Sequence, residues 1–191
     1  MAAGKVIIIS APSGCGKSTI IGKLMERGDI NMQFSVSATN RSPRGSEVDG
    51  TDYHFLSDEE FRSAIAADAF LEYEEVYPGR FYGTLRSEID RIAAEGSNVV
   101  LDIDVNGGIR VKQALGSQAI SIFIEPPSIE ALRSRLEGRG TDSPESIDAR
   151  IDRARYELDQ APRYDARVVN DNLDEAVDAV RALITEFLER N

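Results

Sequence analysis

Residues 6–9 are an unbroken apolar run inside the stretch 5–10, and a Gly-rich turn follows it. A short β-branched run bounded in this way predicts a buried strand. Residues 18–27 then place Ile20, Ile21, Leu24 and Met25 on one helical face, with Gly28 as the stop. Residues 34–56 lose this regularity and are rich in Arg, Gly, Pro and hydroxyls, with short strand-like pieces. The run SDEE at 57–60 is a capping-box pattern that predicts a helix to about Asp68. Residues 69–76 read as extended, with a turn at 77–80, and Leu85, Ile89 and Ile92 mark a helix ending at Gly96. The segment NVVLDID (98–104) reads as an apolar strand ending in acid, and 119–124 as another strand. Helices are predicted from Pro126-Pro127-Ser128 and from Ser143, which precedes Pro at the first helical position. In the latter, Ile147, Ile151, Ala154 and Leu158 share a face, with Arg150 offset to its flank. A short strand at 167–169 and a helix lined by Leu173, Val177, Val180, Ile184 and Phe187 complete the chain.

Strands alternating with helices predict an α/β fold with a parallel central sheet. Two polar segments, about 35–84 and about 130–150, interrupt the alternation and are candidate mobile sub-domains.

The composition changes this picture in one respect. At 191 residues and 41% hydrophobic, the chain is ordinary for a globular domain with a sizeable core. The net charge of -11 argues against non-specific coating of nucleic acid or anionic membranes. Anionic substrates must then be gripped by local Arg and Lys clusters. One cysteine excludes an intramolecular disulfide framework and fits a reducing, cytoplasmic setting. The N-terminal apolar run is too short for a signal-peptide core or a membrane span.

The first cationic cluster lies in APSGCGKS (11–18), between the first strand and the first helix, and nearly matches G-x-x-x-x-G-K-[ST]. In such a loop, backbone N–H groups and the positive end of the following helix cradle phosphates. Lys17 is expected to neutralise the β- and γ-phosphates, and Ser18 to ligate Mg²⁺. Ala11 stands where the pattern has Gly, which costs nothing if its φ is negative and about 1 kcal/mol or more if positive. Cys15 reads either as a small filler or as a thiol activated by electropositive surroundings, with the filler reading preferred. A second cluster follows: Arg41, Arg44, Glu47 and Tyr53 in a Gly/Pro-rich frame. Paired Arg side chains suit one phosphate monoester, and a Tyr hydroxyl adds a hydrogen bond. A nucleoside monophosphate is the acceptor this cluster suits.

The run FSVSATNRSPRGSEVDGTDYHF (34–55) resembles the monophosphate-binding segment of guanylate kinases, S-x-(T/S)-T-R-x-P-R-x-G-E-x-x-G-x-D-Y-x-F. The similarity continues in order through FLE (70–72), YGT (82–84), LDIDVNG (101–107), EPPS (125–128), RLEGRGTDSPESIDAR (135–150) and VVND (168–171). Ala11, Asn40 and Ser46 stand where the family usually has Gly, Thr and Gly. The resemblance implies one domain of P-loop NTPase type, a three-layer α/β fold. Its core would span 1–34, 85–128 and 151–191, with a GMP-binding insertion at 35–84 and a helical lid at 129–150. It implies transfer of the γ-phosphoryl of ATP to GMP, and to dGMP, with Mg²⁺.

Carried over by position, Arg41, Arg44, Glu47, Tyr53 and Tyr82 would serve the GMP phosphate. Ser37, Glu72 and Thr84 would read guanine, with Asp104 nearby. The loop residues Ala11, Pro12, Ser13, Gly14, Cys15, Gly16, Lys17, Ser18 and Thr19 would bind ATP together with Arg135, Arg139, Asn170 and Asp171. Arg150, one of the lid arginines with Arg135 and Arg139, would bind GMP, and Lys17, Arg44, Arg139 and Arg150 would carry catalysis. Asp102 and Asp104 are expected to alternate onto one face of their strand, with Asp102 holding Mg²⁺ through water alongside Ser18. A carboxylate at Glu72 can accept from guanine N1–H and N2–H₂, which adenine cannot offer. The small-molecule partners implied are ATP and GMP, with no nucleic-acid polymer or membrane, for a monomer or homodimer. The alternatives are a catalytically dead guanylate-kinase-like interaction module, a GTP-hydrolysing switch, and a kinase for another phosphorylated acceptor. Lys17 and Ser18 speak against the first, the lack of an N-K-x-D motif against the second, and Glu72 with Ser37 against the third.

Overall fold

The computed structural model describes residues 4–138, 140 and 143–190, with Tyr77 described by its backbone. Five strands form one sheet in the order β2-β7-β1-β8-β9, and four form another in the order β4-β3-β6-β5. The chain divides into two compact units, one of residues 4–5 and 32–100, the other of residues 6–31 and 101–190.

In the second unit, β1 (Val6–Ser10) and β8 (Ala119–Glu125) pair in parallel, and β8 pairs in parallel with β9 (Ala166–Val169). Every residue of β1 and β8 is buried, which is why both read as continuous apolar runs without alternation. The helices are α1 (Lys17–Arg27), α4 (Val105–Leu115), α5 (Ile129–Glu137), α6 (Pro144–Gln160) and α7 (Leu173–Glu189). Their starts follow local chemistry. Ser128, Ser143 and Asn172 each accept a first-turn N–H at α5, α6 and α7, and Gly28 ends α1 in the left-handed region. The stripe of α6 closes on Ile147, Ile151, Ala154 and Glu157, while Leu158 is half-buried against the cluster of Val105, Ile109, Phe123, Ala161 and Tyr164.

Two features of this unit depart from the sequence reading. Residues 105–115 form α4, which the apolar pattern leaves unassigned because Gly107 and Gly108 interrupt its first turns. Gly108 is required by close packing: a Cβ there would lie 2.4 Å from the Tyr164 hydroxyl and 2.8 Å from Ser10 Oγ. The expectation that Asp102 and Asp104 share a sheet face is corrected. The strand β7 (Asn98–Asp102) stops at Asp102, and Asp104 is the N-cap of α4. Its Oδ1 accepts from the N–H of Asn106 at 2.8 Å and of Gly107 at 3.1 Å. A carboxylate that can satisfy two orphan N–H groups favours starting the helix over extending the strand.

The other unit carries β2 (Met32–Phe34), which pairs in parallel with β7 through Val100. Its smaller sheet comprises β3 (Ala38–Thr39), β4 (His54–Phe55), β5 (Phe70–Tyr77) and β6 (Arg80–Leu85). β3 runs parallel to β4 and antiparallel to β6, and β5 and β6 form a hairpin. α2 (Asp58–Ala66) opens with the expected capping box of Ser57 and Glu60. Phe61 of α2 stacks on Phe70 with ring centroids 4.5 Å apart and on Phe81 at 5.5 Å, forming this unit's own core. α3 (Arg86–Ala94) follows β6. Asn40 fastens the sheet edge. Its amide donates to Asp58 at 2.9 Å and to the Gly79 carbonyl at 2.8 Å, and its oxygen accepts from Phe81 N–H at 2.8 Å.

Candidate active site

The loop 11–16 leaves the carboxyl end of β1, where parallel α/β sheets place ligands. Among the described non-glycine residues only Asp68 has positive φ, so Ala11 is unstrained and the missing Gly costs nothing there. Gly14 and Gly16 do carry the left-handed turns, at φ 94° and 85°. Gly16 caps α1 without a side-chain partner, and no acid stands in the first turn, so the helix start keeps its positive end for an anion. Ser13, Ser18 and Thr19 are exposed there, while Pro12 is buried beneath.

Lys17 forms an ion pair with Asp102, and its Nζ also donates to the Ile103 carbonyl at 3.4 Å. The loop lysine and the strand-end carboxylate are therefore neighbours. Arg150 Nη1 reaches Ser13 Oγ at 3.4 Å, and Arg135 Nη2 donates to the Asn170 carbonyl at 2.8 Å. The Asn170 side chain is buried and donates to the Cys15 carbonyl at 2.8 Å, while Asp171 is exposed. Arg139 lies outside the described residues.

Cys15 is fully buried, and burial pushes its thiol up to about 12, only partly countered by the nearby Arg135 charge. The activated-thiol reading fails on this geometry, and Cys15 is a filler. In the native protein its alkylation by iodoacetamide at pH 8 is expected to run more than ~10²-fold slower than that of free cysteine. A rate within a few-fold of free cysteine, read by mass spectrometry on folded protein, would contradict the burial.

The sequence reading missed Glu157. Burial raises its carboxyl above the usual range, opposed by Arg153, whose Nε donates to it at 2.8 Å. The signal was available: Glu157 takes the place in the α6 stripe where a further apolar residue belongs.

In the other unit, Arg41, Glu47, Tyr53 and Tyr82 form one cluster. Arg41 makes a two-pronged pair with Glu47 at 2.6 and 2.7 Å and donates through Nε to the Tyr82 hydroxyl at 3.1 Å. The Arg41 guanidinium sits 4.8 Å from the Tyr53 ring centre. Glu47 also accepts from the Arg44 N–H at 2.7 Å, and the Arg41 bond holds its carboxyl down at about 2. With both oxygens taken by protein donors, Glu47 positions Arg41 and Arg44; it is not itself a phosphate ligand. The Arg44 side chain is exposed.

Tyr82 and Thr84 alternate on β6 and so share a face, and Glu72 pairs with Thr84 in register. The Thr84 hydroxyl donates to Glu72 Oε1 at 3.0 Å, and both side chains are buried. This hydroxyl therefore orients the carboxylate. Ser37 stands just before β3, half-buried, and its carbonyl accepts from His54 N–H at 2.9 Å.

The family model described as guanylate kinase matches residues 3–187. The chain belongs to the guanylate kinase family. A guanylate kinase from Porphyromonas gingivalis is 52% identical over 186 residues, covering 97% of this chain and 99% of the relative. One from Bacteroides fragilis is 54% identical over 184 residues, covering 96% and 90%. The crystal structure of guanylate kinase from Anaplasma phagocytophilum superposes with a TM-score of 0.79 at 29% identity, covering 100% of this chain and 89% of that one. The family is one of nucleoside monophosphate kinases. Among the described residues no helix is long and apolar enough to cross a membrane, and no group of three or more His, Cys, Asp and Glu side chains is gathered for a metal.

Proposed function

We propose that this chain transfers the γ-phosphoryl group of ATP to GMP, and to dGMP, releasing ADP and GDP (or dGDP). The observation that carries the reading is the intact loop: Gly14 and Gly16 in left-handed turns, an open α1 start, and Lys17 at its head. An interaction module without catalysis has no use for that arrangement.

The chain's residues divide the work. Lys17 leaves Asp102 to meet the β- and γ-phosphates, and the loop N–H groups hold them. Arg41, fixed by Glu47, and Arg44 grip the GMP phosphate with the hydroxyls of Tyr53 and Tyr82. A GMP phosphate oxygen attacks the γ-phosphorus in line. The bond from that phosphorus to the β,γ-bridging oxygen breaks, and the electron pair leaves with ADP. No covalent enzyme intermediate is needed, because alignment and charge compensation supply the catalysis. Arg135, Arg139 and Arg150 add positive charge for the transferring group. Glu72, Thr84 and Ser37 select guanine.

The Ser18 hydroxyl and the Asp102 carboxylate are hard oxygen donors, so they fit Mg²⁺ arriving with the nucleotide, Asp102 through water. The ion, when bound, offsets the negative charge of the phosphate oxygens. A reducing cytoplasm suits a chain whose one cysteine is a buried thiol, and a monomer or homodimer suffices for this chemistry.

A coupled ADP-release assay with ATP and Mg²⁺, offering GMP, dGMP, AMP, CMP and UMP in turn, tests the reading. Turnover with GMP and dGMP and at most trace turnover with the others is expected. A folded protein inactive on GMP overturns it.

A further inference from the structure

We propose that Asn170 is a positioning residue of the phosphate loop, its amide strapping the Cys15 carbonyl so that it serves ATP through the loop. The inference rests on the ATP-binding role proposed above for that loop. Asn170 is only 6% exposed. Its Nδ2 donates to Cys15 O at 2.8 Å, across 155 residues of chain. Its backbone N–H donates to the Glu125 carbonyl at 2.8 Å, and its own carbonyl accepts from Arg135 Nη2 at 2.8 Å. One residue at the end of β9 therefore ties the loop, the end of β8 and a candidate phosphate-binding arginine of α5 to one point.

The consequence for the loop follows from peptide geometry. Across a trans peptide the C=O and the next N–H point in opposite directions. The peptide from Cys15 to Gly16 is trans, so pinning the Cys15 carbonyl to Asn170 turns the Gly16 N–H away from it. An orphan donor of the loop is held in orientation before any phosphate arrives, which removes part of the ordering cost of binding. The same strap adds a second reason for Gly16. A Cβ there would lie 2.5 Å from Asn170 Nδ2, so any side chain would displace the strap as well as strain the backbone.

The test separates a loop strap from a base contact by using a ligand with no base. Binding of ATP, inorganic tripolyphosphate and GMP is measured by calorimetry for wild type, Asn170→Asp and Asn170→Ala. Asn170→Asp keeps the shape but sets an acceptor against the Cys15 carbonyl. A buried carbonyl left unpaired predicts that ATP and tripolyphosphate affinities fall together by ~10-fold or more. GMP affinity stays within twofold, KM rises for ATP and not for GMP, and Cys15 alkylates faster. Loss of ATP affinity with tripolyphosphate unchanged overturns the strap, as does an equal loss for GMP, or no loss at all.

Where neither variant folds, the side-chain amide of Asn170 in wild-type protein is followed by NMR. Slow solvent exchange and a resonance that moves alike with tripolyphosphate and ATP support the strap, and a resonance that moves with ATP alone sinks it. A wild-type chain that binds tripolyphosphate yet leaves GMP unphosphorylated removes the kinase reading and leaves the strap standing.

Discussion

Lys17→Met is expected to lower kcat by ~10³-fold while leaving GMP affinity within a few-fold of wild type. The ammonium is the one cation in the loop's own sequence at the head of α1, and the nearby arginines serve the transferring group and do not take its place as negative charge shifts toward the β-phosphate. Its present partner is Asp102, which shows that the charge is placed and held in a site only about one-fifth exposed. Methionine keeps the stem length and the packing but removes the charge. The unpaired Asp102 carboxylate keeps access to water, so thermal stability should change by no more than about 1 kcal/mol. Steady-state kinetics with both substrates varied, alongside thermal unfolding, check this. A kcat within tenfold of wild type in a folded variant removes Lys17 from the catalytic set.

Glu72→Gln is expected to cut kcat/KM for GMP by ~10⁴ with little change for AMP. The Glu72 carboxylate is buried on β5, and the Thr84 hydroxyl already occupies one of its oxygens. A carboxylate there is suited to a ligand with two adjacent donors, the pattern of guanine N1–H and N2–H₂. Glutamine fits the same space and keeps a partner for Thr84, but it presents an NH₂ group or one acceptor where two are needed. A donor facing a donor in a dry site costs more than the lost hydrogen bond. Specificity constants for GMP and AMP, with circular dichroism to verify folding, decide it. Retention of GMP preference in Glu72→Gln would place guanine recognition elsewhere.

Much of this was legible in the chain because the signals were local. The buried run at 6–10, the glycines at 14 and 16, the capping box at 57–60 and the Ser-Pro start at 143 each report on residues a few positions apart. The motif residues Arg41, Arg44, Tyr53, Glu72, Tyr82 and Thr84 were legible by resemblance, since their types and spacings are retained. Less was legible where glycine breaks the periodicity, as in α4, or where a strand is short and half polar, as in β2 and β6.

The sequence by itself determined the class of fold, the phosphate loop and the family. All three depend on short-range order along the chain, which survives in the string of letters. Only the tertiary structure decided what each polar group does with its hydrogen bonds. It moved Asp104 from the strand face to a helix cap, gave Glu47 to Arg41, and gave the Thr84 hydroxyl to Glu72. It buried Cys15 against activation and turned Asn170 toward the loop. These outcomes join residues as far as 155 positions apart, and the competition among donors for one acceptor is settled only when packing brings them together.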